Sequence, residues 1–366
     1  MQNIDTPALI IDEEILLANI GRMAAFAKEH GVKLRPHFKT HKIPRIAQLQ
    51  MQQGAVGITV AKLGEAAIAI EAGITDILVA CPIIGEAKLR RLLDLARRAK
   101  ITVAVDSLEA ARQLSLAALD NDTVIDIYIE VDTGLRRCGL PPGPGLTTLA
   151  AQMASMSGLA LRGLMTHAGH VYGAADPGKV ADIGLAEGAS MVALADVLRR
   201  QGISIAEVSV GSTPTVPHSG RVAGVTEIRP GNYVFNDAIQ IGLGVATAAD
   251  CALRVLATVV SAPEPRRRII DAGSKVFALD KGAHGASVVK GFGAVLGWPG
   301  WELARLSEEL GVMESETDQP GPAIGDSVEV IPNHACTAIN LASEVLVRRA
   351  GQVAAVWPVA ARGQVR

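Results

Sequence analysis

The run Val32-Lys33-Leu34, and the eight residues that follow it, Arg35-Pro36-His37-Phe38-Lys39-Thr40-His41-Lys42, decide how this chain is read. A short strand-like run leads straight into two histidines and three cations, and Pro36 stiffens the exit. That is the pattern of a loop at a strand end, where a scaffold displays reactive groups. Lys39 stands out within it. A lysine amine kept unprotonated by cationic neighbours can condense with an aldehyde cofactor. The plainer alternative is a solvated basic patch, and the rest of the chain must decide between the two.

Outward from this stretch a rhythm sets in. Strand-like runs at 32–34, 56–60, 76–81, 101–105, 125–131, 161–166, 207–210 and 227–229 alternate with helical stretches at 43–53, 63–72, 86–99, 108–119, 145–156 and 180–201. A helix at 13–29 precedes them and stops at Gly31. The segment 211–226, rich in Gly, Pro, Ser and Thr, shows no clear helix. Alternating strand and helix means a parallel sheet. Eight such units in roughly 200–250 residues predict an α/β fold with an N-terminal (β/α)8 TIM barrel over 13–246, an open doubly wound sheet being the alternative. From 247 to 366 the texture changes to strand-like runs at 254–261, 268–271, 303–307, 327–331, 344–347 and 352–358. These predict a C-terminal antiparallel β domain, which the extended segment 1–12 can join.

Composition narrows the function. Hydrophobic residues make up 49% and charged residues 20%, as in a globular protein, and the net charge of −2 argues against a nucleic-acid partner. No apolar run approaches the ~20 residues that cross a bilayer, and no export signal opens the chain. Cys81, Cys138, Cys251 and Cys336 are scattered without a CxxC pair, which suits a cytoplasmic protein.

In a parallel barrel the chemistry lies at the carboxyl ends of the strands. Those positions carry His37-Phe38-Lys39, Cys81-Pro82, the stretch 132–139 with Arg137, the stretch 167–172 with His167 and Tyr172, Gly211-Ser212-Thr213, and Pro230-Gly231-Asn232. Glycine-freed amides beside hydroxyls can cradle an anion, and barrels place such sites after strands seven and eight. Taken singly, either loop is also an ordinary tight turn. Because strands one and eight are neighbours in a closed barrel, Lys39 would face that cradle. The spacing fits pyridoxal phosphate, with its aldehyde carbon at Lys39 and its phosphate at Thr213 and Gly231; His37, Ser212 and Asn232 are further candidates for binding it. Arg137 is the candidate for the pyridine nitrogen, its alternative being a salt-bridged surface arginine. His167 or Tyr172 can hydrogen bond the cofactor or relay a proton. His167 and His170 are too weak a pair for a metal without helical context. In the β domain, His334 and Cys336 would point to one face of a strand and form half of a zinc site, or else be ordinary core residues.

With 35–42, 132–139, 211–215, 229–237 and 332–340 taken together, the chain resembles the D-serine dehydratase and D-threonine aldolase family over nearly its whole length. The resemblance implies a fold similar to alanine racemase and a homodimer. It implies that Lys39 carries pyridoxal phosphate, that Arg137 meets the pyridine nitrogen, and that Tyr172, Thr213, Gly231 and Asn232 line the cofactor. It implies a divalent metal at His334 and Cys336, with Zn2+ favoured over Mn2+ or Mg2+. The dehydratase branch pairs His-x-Cys with zinc and the aldolase branch His-x-Asp with a harder ion, so Cys336 points to the dehydratase branch. Thr337-Ala338 departs from the proline that usually follows this cysteine. The expectation is a lyase on a small D-3-hydroxy amino acid, first of all D-serine, giving pyruvate and ammonia. Aldol cleavage of D-threonine or D-3-hydroxyaspartate to glycine and an aldehyde is the alternative. A racemase would need a second base and no metal, and a non-catalytic cofactor carrier would need no β domain.

Overall fold

In this computed structural model, which describes residues 4–174, 176–284 and 289–366, the chain opens on β1 (Ala8–Asp12). Residues 1–3 of the expected first strand lie outside the described residues. Helix α1 (Glu13–Glu29) follows without a loop because Asp12 caps it. Its carboxylate accepts the Ile15 N–H at 3.3 Å, and Glu13 and Glu14 sit in the electropositive first turn. Past the helix Gly31 takes φ +65° and turns the chain. Alternation then runs β2 (Lys33–Leu34), α2 (Pro44–Gln52), β3 (Ile58–Val60), α3 (Leu63–Glu71), β4 (Asp76–Val79), α4 (Glu86–Ala96) and β5 (Lys100–Val105). It continues with α5 (Leu108–Leu119), β6 (Ile125–Val131), α6 (Pro144–Ala154), β7 (Leu159–Thr166), α7 (Pro177–Arg200), β8 (Glu207–Val210), α8 (Val216–Ser219) and β9 (Glu227–Ile228). The one-turn α8, with proline in its first turn, is a helix that the glycine- and proline-rich texture of 211–226 concealed.

The eight strands β2 to β9 are parallel and pair in the order β2-β9-β8-β7-β6-β5-β4-β3. At the seam, the Val56 N–H donates to Leu34 O at 2.9 Å and the Thr59 N–H to Pro36 O at 2.8 Å, with a bridge between His37 and Thr59. The sheet is therefore a TIM-like barrel. Strand β6 shows why it closes. Ile125, Ile127, Ile129 and Val131 face the helices, while Tyr128 joins Leu78, Ala104 and Met165 in a separate inner cluster. Burying each such side chain contributes roughly 1.5–3 kcal/mol. The barrel also holds buried charge: Arg35 Nε donates to Glu227 Oε2 at 2.7 Å, and Ser209 Oγ donates to Glu227 Oε1 at 2.6 Å.

The second sheet has nine strands. After α9 (Ala238–Gly242) come β10 (Leu253–Glu264), β11 (Arg267–Ile270), α10 (Ser274–Phe277), β12 (Gly293–Val295), β13 (Trp301–Leu306), β14 (Gly311–Ser315), β15 (Ser327–Pro332), α11 (Ala335–Leu341), β16 (Glu344–Arg349) and β17 (Gln352–Pro358). Pairing is antiparallel except where β1 lies parallel to β16; β1 also pairs with β10. Strands β12 and β14 have no counterpart among the runs read from the sequence. Leu16 and Ile20 of α1 pack into the same core as Phe235, Leu253, Val255, Phe277 and Val330, so one helix ties the barrel to this sheet.

Candidate active site

Where the β domain meets the carboxyl ends of the barrel strands lies a cavity of about 840 Å³. Every site residue singled out above lines it: His37, Lys39, Arg137, His167, Tyr172, Ser212, Thr213, Gly231, Asn232, His334 and Cys336. His170 does not line it.

Lys39 sits in a single 3-10 turn, Phe38–Thr40, whose first N–H groups His37 caps; the Lys39 N–H donates to His37 Nδ1 at 3.4 Å. Burial is the main reason the Lys39 amine falls below its usual pKa; Arg137 adds to the fall, and Cys336 and Glu65 oppose it. The sequence reading placed that effect on cationic neighbours, which are the smaller cause.

The loops after β8 and β9 meet through Thr213, whose Oγ1 accepts the Tyr233 N–H at 3.0 Å. Among the described residues the N–H groups of Thr213, Gly231 and Asn232 have no acceptor, and Asn232 Oδ1 is buried without a partner. By contrast the Gly211 N–H donates to Glu187 Oε1 at 2.9 Å and the Ser212 N–H to Thr215 Oγ1 at 3.1 Å, so those two amides serve the loop itself. A Cβ on Gly231 would lie 2.7 Å from Thr40 Oγ1 and 3.1 Å from His37 Cβ. Only glycine lets this loop rest against the Lys39 turn.

Arg137 is half exposed, with Nη2 3.9 Å from Glu130 Oε1. A second guanidinium escaped notice in the sequence. Arg229 is buried, donates to Ser209 Oγ and to the Thr166 carbonyl, and lines the same cavity. Its adjacency to Pro230-Gly231 was the available signal. His167 Nδ1 lies 3.4 Å from Gly211 O, and its Nε2 lies 3.4 Å from His284 Nε2. Burial holds His167 well below its usual pKa, and Lys39 and Arg137 reinforce that. Burial likewise raises the Tyr172 phenol, which stays protonated.

The His334-x-Cys336 pair is not on a strand. Strand β15 ends at Pro332, His334 is the residue before α11, and Cys336 is in its first turn. Buried Asp237 makes the turn, its Oδ2 accepting the Ala335 N–H at 2.9 Å. Even so, the two side chains are close enough to couple electrostatically. Burial opposes it, but Cys336, and then Asp280, raise the His334 imidazole to about 11; burial also opposes the fall of the Cys336 thiol, which His334 drives. His334 Nδ1 lies 3.6 Å from Asp280 Oδ1, and Thr337 Oγ1 donates to Asp280 Oδ2 at 2.7 Å. A carboxylate behind an imidazole is the usual support for a metal-binding histidine. No group of three or more metal-donor side chains forms among the described residues, so a metal held by this pair would have two protein donors and positions left for water or substrate.

The description "Alanine racemase, N-terminal domain" matches residues 11–238, and "Putative serine dehydratase domain" matches 252–348. The chain is 34% identical to a D-threonine aldolase of Arthrobacter sp. over 99% of this chain and 94% of the relative. It is 35% identical to the D-threo-3-hydroxyaspartate dehydratase of a Delftia strain over 91% of each. It is 28% identical to a D-serine dehydratase of Dictyostelium discoideum over 94% of this chain and 93% of the relative. A solved structure of D-threo-3-hydroxyaspartate dehydratase, a cysteine-to-alanine mutant in the metal-free form, superposes with a TM-score of 0.90 at 33% identity over 97% of both chains.

Proposed function

The chain belongs to the family that joins an alanine racemase N-terminal domain to a serine dehydratase domain, and from that premise we propose that it is a pyridoxal-phosphate- and metal-dependent lyase of D-3-hydroxy amino acids, dehydrating D-serine to pyruvate and ammonia. One observation carries the reading: a half-buried lysine, three unclaimed backbone N–H groups and an imidazole–thiol pair all line one cavity. Lys39 would hold the cofactor's aldehyde carbon, and the N–H groups of Thr213, Gly231 and Asn232 its phosphate. Arg137 is our candidate at the ring nitrogen, with Arg229 as the buried second candidate. His334 and Cys336 would hold the metal, Zn2+ by the softness of the thiolate. When bound, pyridoxal phosphate supplies an electron sink next to Cα and the metal a Lewis acid at the 3-hydroxyl.

The side chains supply the rest. Lys39, whose amine burial brings below its usual pKa, would take the Cα proton. Tyr172, a buried phenol, would donate a hydrogen bond to an anionic group bound in the cavity. Asp280 orients the His334 ring. A racemase has no task for the His334–Cys336 pair. The four cysteines are all free, as a reducing compartment requires, and we include a cytoplasmic homodimer in the proposal.

The D-threonine aldolase relative supports a second reading, in which the same groups cleave Cα–Cβ. Product analysis after incubation with D-serine, D-threonine and D-3-hydroxyaspartate separates them. A keto acid with equimolar ammonia, lost on chelation, supports dehydration. Glycine with an aldehyde replaces it with cleavage, and neither product from any substrate rejects both.

A further inference from the structure

Three separate observations converge on His284, a residue of the segment between α10 and β12 that the sequence reading passed over. First, its Nε2 lies 3.4 Å from His167 Nε2, and its ring lies against Tyr172 with centroids 5.5 Å apart. Second, Gly169 makes room for the pair: a Cβ there would lie 2.8 Å from His284 Nε2 and 2.9 Å from His167 Nε2. Third, His284 holds φ +54°, a left-handed backbone conformation that a non-glycine residue adopts at a cost, and such strain gathers at functional sites.

The hydrogen-bond roles follow from chemistry. A carbonyl oxygen only accepts, so His167 Nδ1 carries the proton shared with Gly211 O, and neutral His167 has a lone pair at Nε2. His284 Nε2 is then the donor, which leaves the lone pair of neutral His284 on Nδ1. The result is a directed chain from His284 through His167 to the Gly211 carbonyl. Its polarity matches a general base backed by an orienting acceptor.

Resting on the lyase reading above, we propose that His284 is a catalytic residue that carries the proton needed at the 3-hydroxyl, with His167 positioning it. The titratable and charged groups facing it are Lys39, Arg137 and His334; His167 and Tyr172 touch it. Burial first, then Lys39, Arg137 and His334, hold His284 down at about 4, so it starts neutral and able to accept a proton. Lys39 takes the Cα proton, and the Cα–H electron pair becomes the new Cα–Cβ π bond. The proton passes from the Lys39 ammonium to His284. The C3–O bond breaks with its electron pair going to oxygen, and His284 gives that proton to the oxygen, releasing water. No external acid is consumed, and both side chains return to their neutral forms.

A leaving group that needs no proton tests this directly. With His284→Gln, water elimination from D-serine should fall by about a hundredfold or more, while chloride elimination from 3-chloro-D-alanine stays within about threefold of the unmutated protein, by the same range of general-acid effects. Gly169→Ala, which drives the two rings apart by a different route, should show the same split. Without any turnover, 15N spectra of histidine-labelled protein should show the proton of neutral His284 on Nε2 and that of neutral His167 on Nδ1. Equal losses on both substrates, no loss on either, or the opposite tautomers would overturn the proposal. If the unmutated protein processes no D-3-hydroxy amino acid, the lyase reading fails instead.

Discussion

At the scale of single residues, Cys336 carries the heaviest commitment. Its sulfur lies 3.4 Å from Thr40 Oγ1, and the His334 charge lowers its pKa against the effect of burial. If the pair holds the metal, Cys336→Ala should release it and cut elimination by about a hundredfold or more, while Asp280→Asn, which only supports His334, should cost about 10–100-fold in metal affinity. Metal analysis after gel filtration, alongside keto-acid release, checks both. Lys39, Thr213 and Gly231 were legible in the sequence because strand ends in a barrel face one rim, so their spacing along the chain already implied proximity. Arg229 and His284 were not. Nothing local marks a cation as buried, and His284 meets His167 only through a contact between residues 117 apart in the chain.

At the scale of elements, the loop after β9 and the start of α11 depend on one carboxylate and one missing side chain. Gly231→Ala forces the loop off Thr40 and should weaken cofactor binding about tenfold or more, the loss expected when a hydrogen bond to a charged group is spoiled. Absorbance titration of the apoprotein with pyridoxal phosphate measures it. Asp237→Ala strands the buried Ala335 N–H and the Asn232 amide, and should cost about 2–4 kcal/mol in urea denaturation. The long β-branched run of β6 was read with its correct ends because alternating Ile and Val leave no helical face. Strands β12 and β14 were missed because both are short and begin on glycine. His334 and Cys336 were assigned to a strand because a hydrogen bond from Ala335 to Asp237, 98 residues away, is what starts the helix there.

For the whole molecule, the sheet of the β domain has a built-in acid limit. Glu329 on β15 lies between Arg254 on β10 and Arg348 on β16. Burial works against its charge, but Arg348 and Arg254 outweigh burial and bring its pKa below the ordinary 4.5. The folded state thus binds the charged form better. The stability this adds is complete above pH 4.5 and drains away as pH falls through the lower folded value. Thermal melts from pH 7 downward should show an acid decline that becomes shallower in Glu329→Gln. No described helix is long and apolar enough to cross a membrane.

Everything assigned to the cavity turns on which lysine meets the coenzyme. Borohydride reduction of the protein loaded with pyridoxal phosphate, followed by proteolysis and mass mapping, fixes the coenzyme to whatever amine holds it. The pyridoxyl group is expected on Lys39 and on no other lysine; its recovery on a different lysine, or on none, would contradict the assignment.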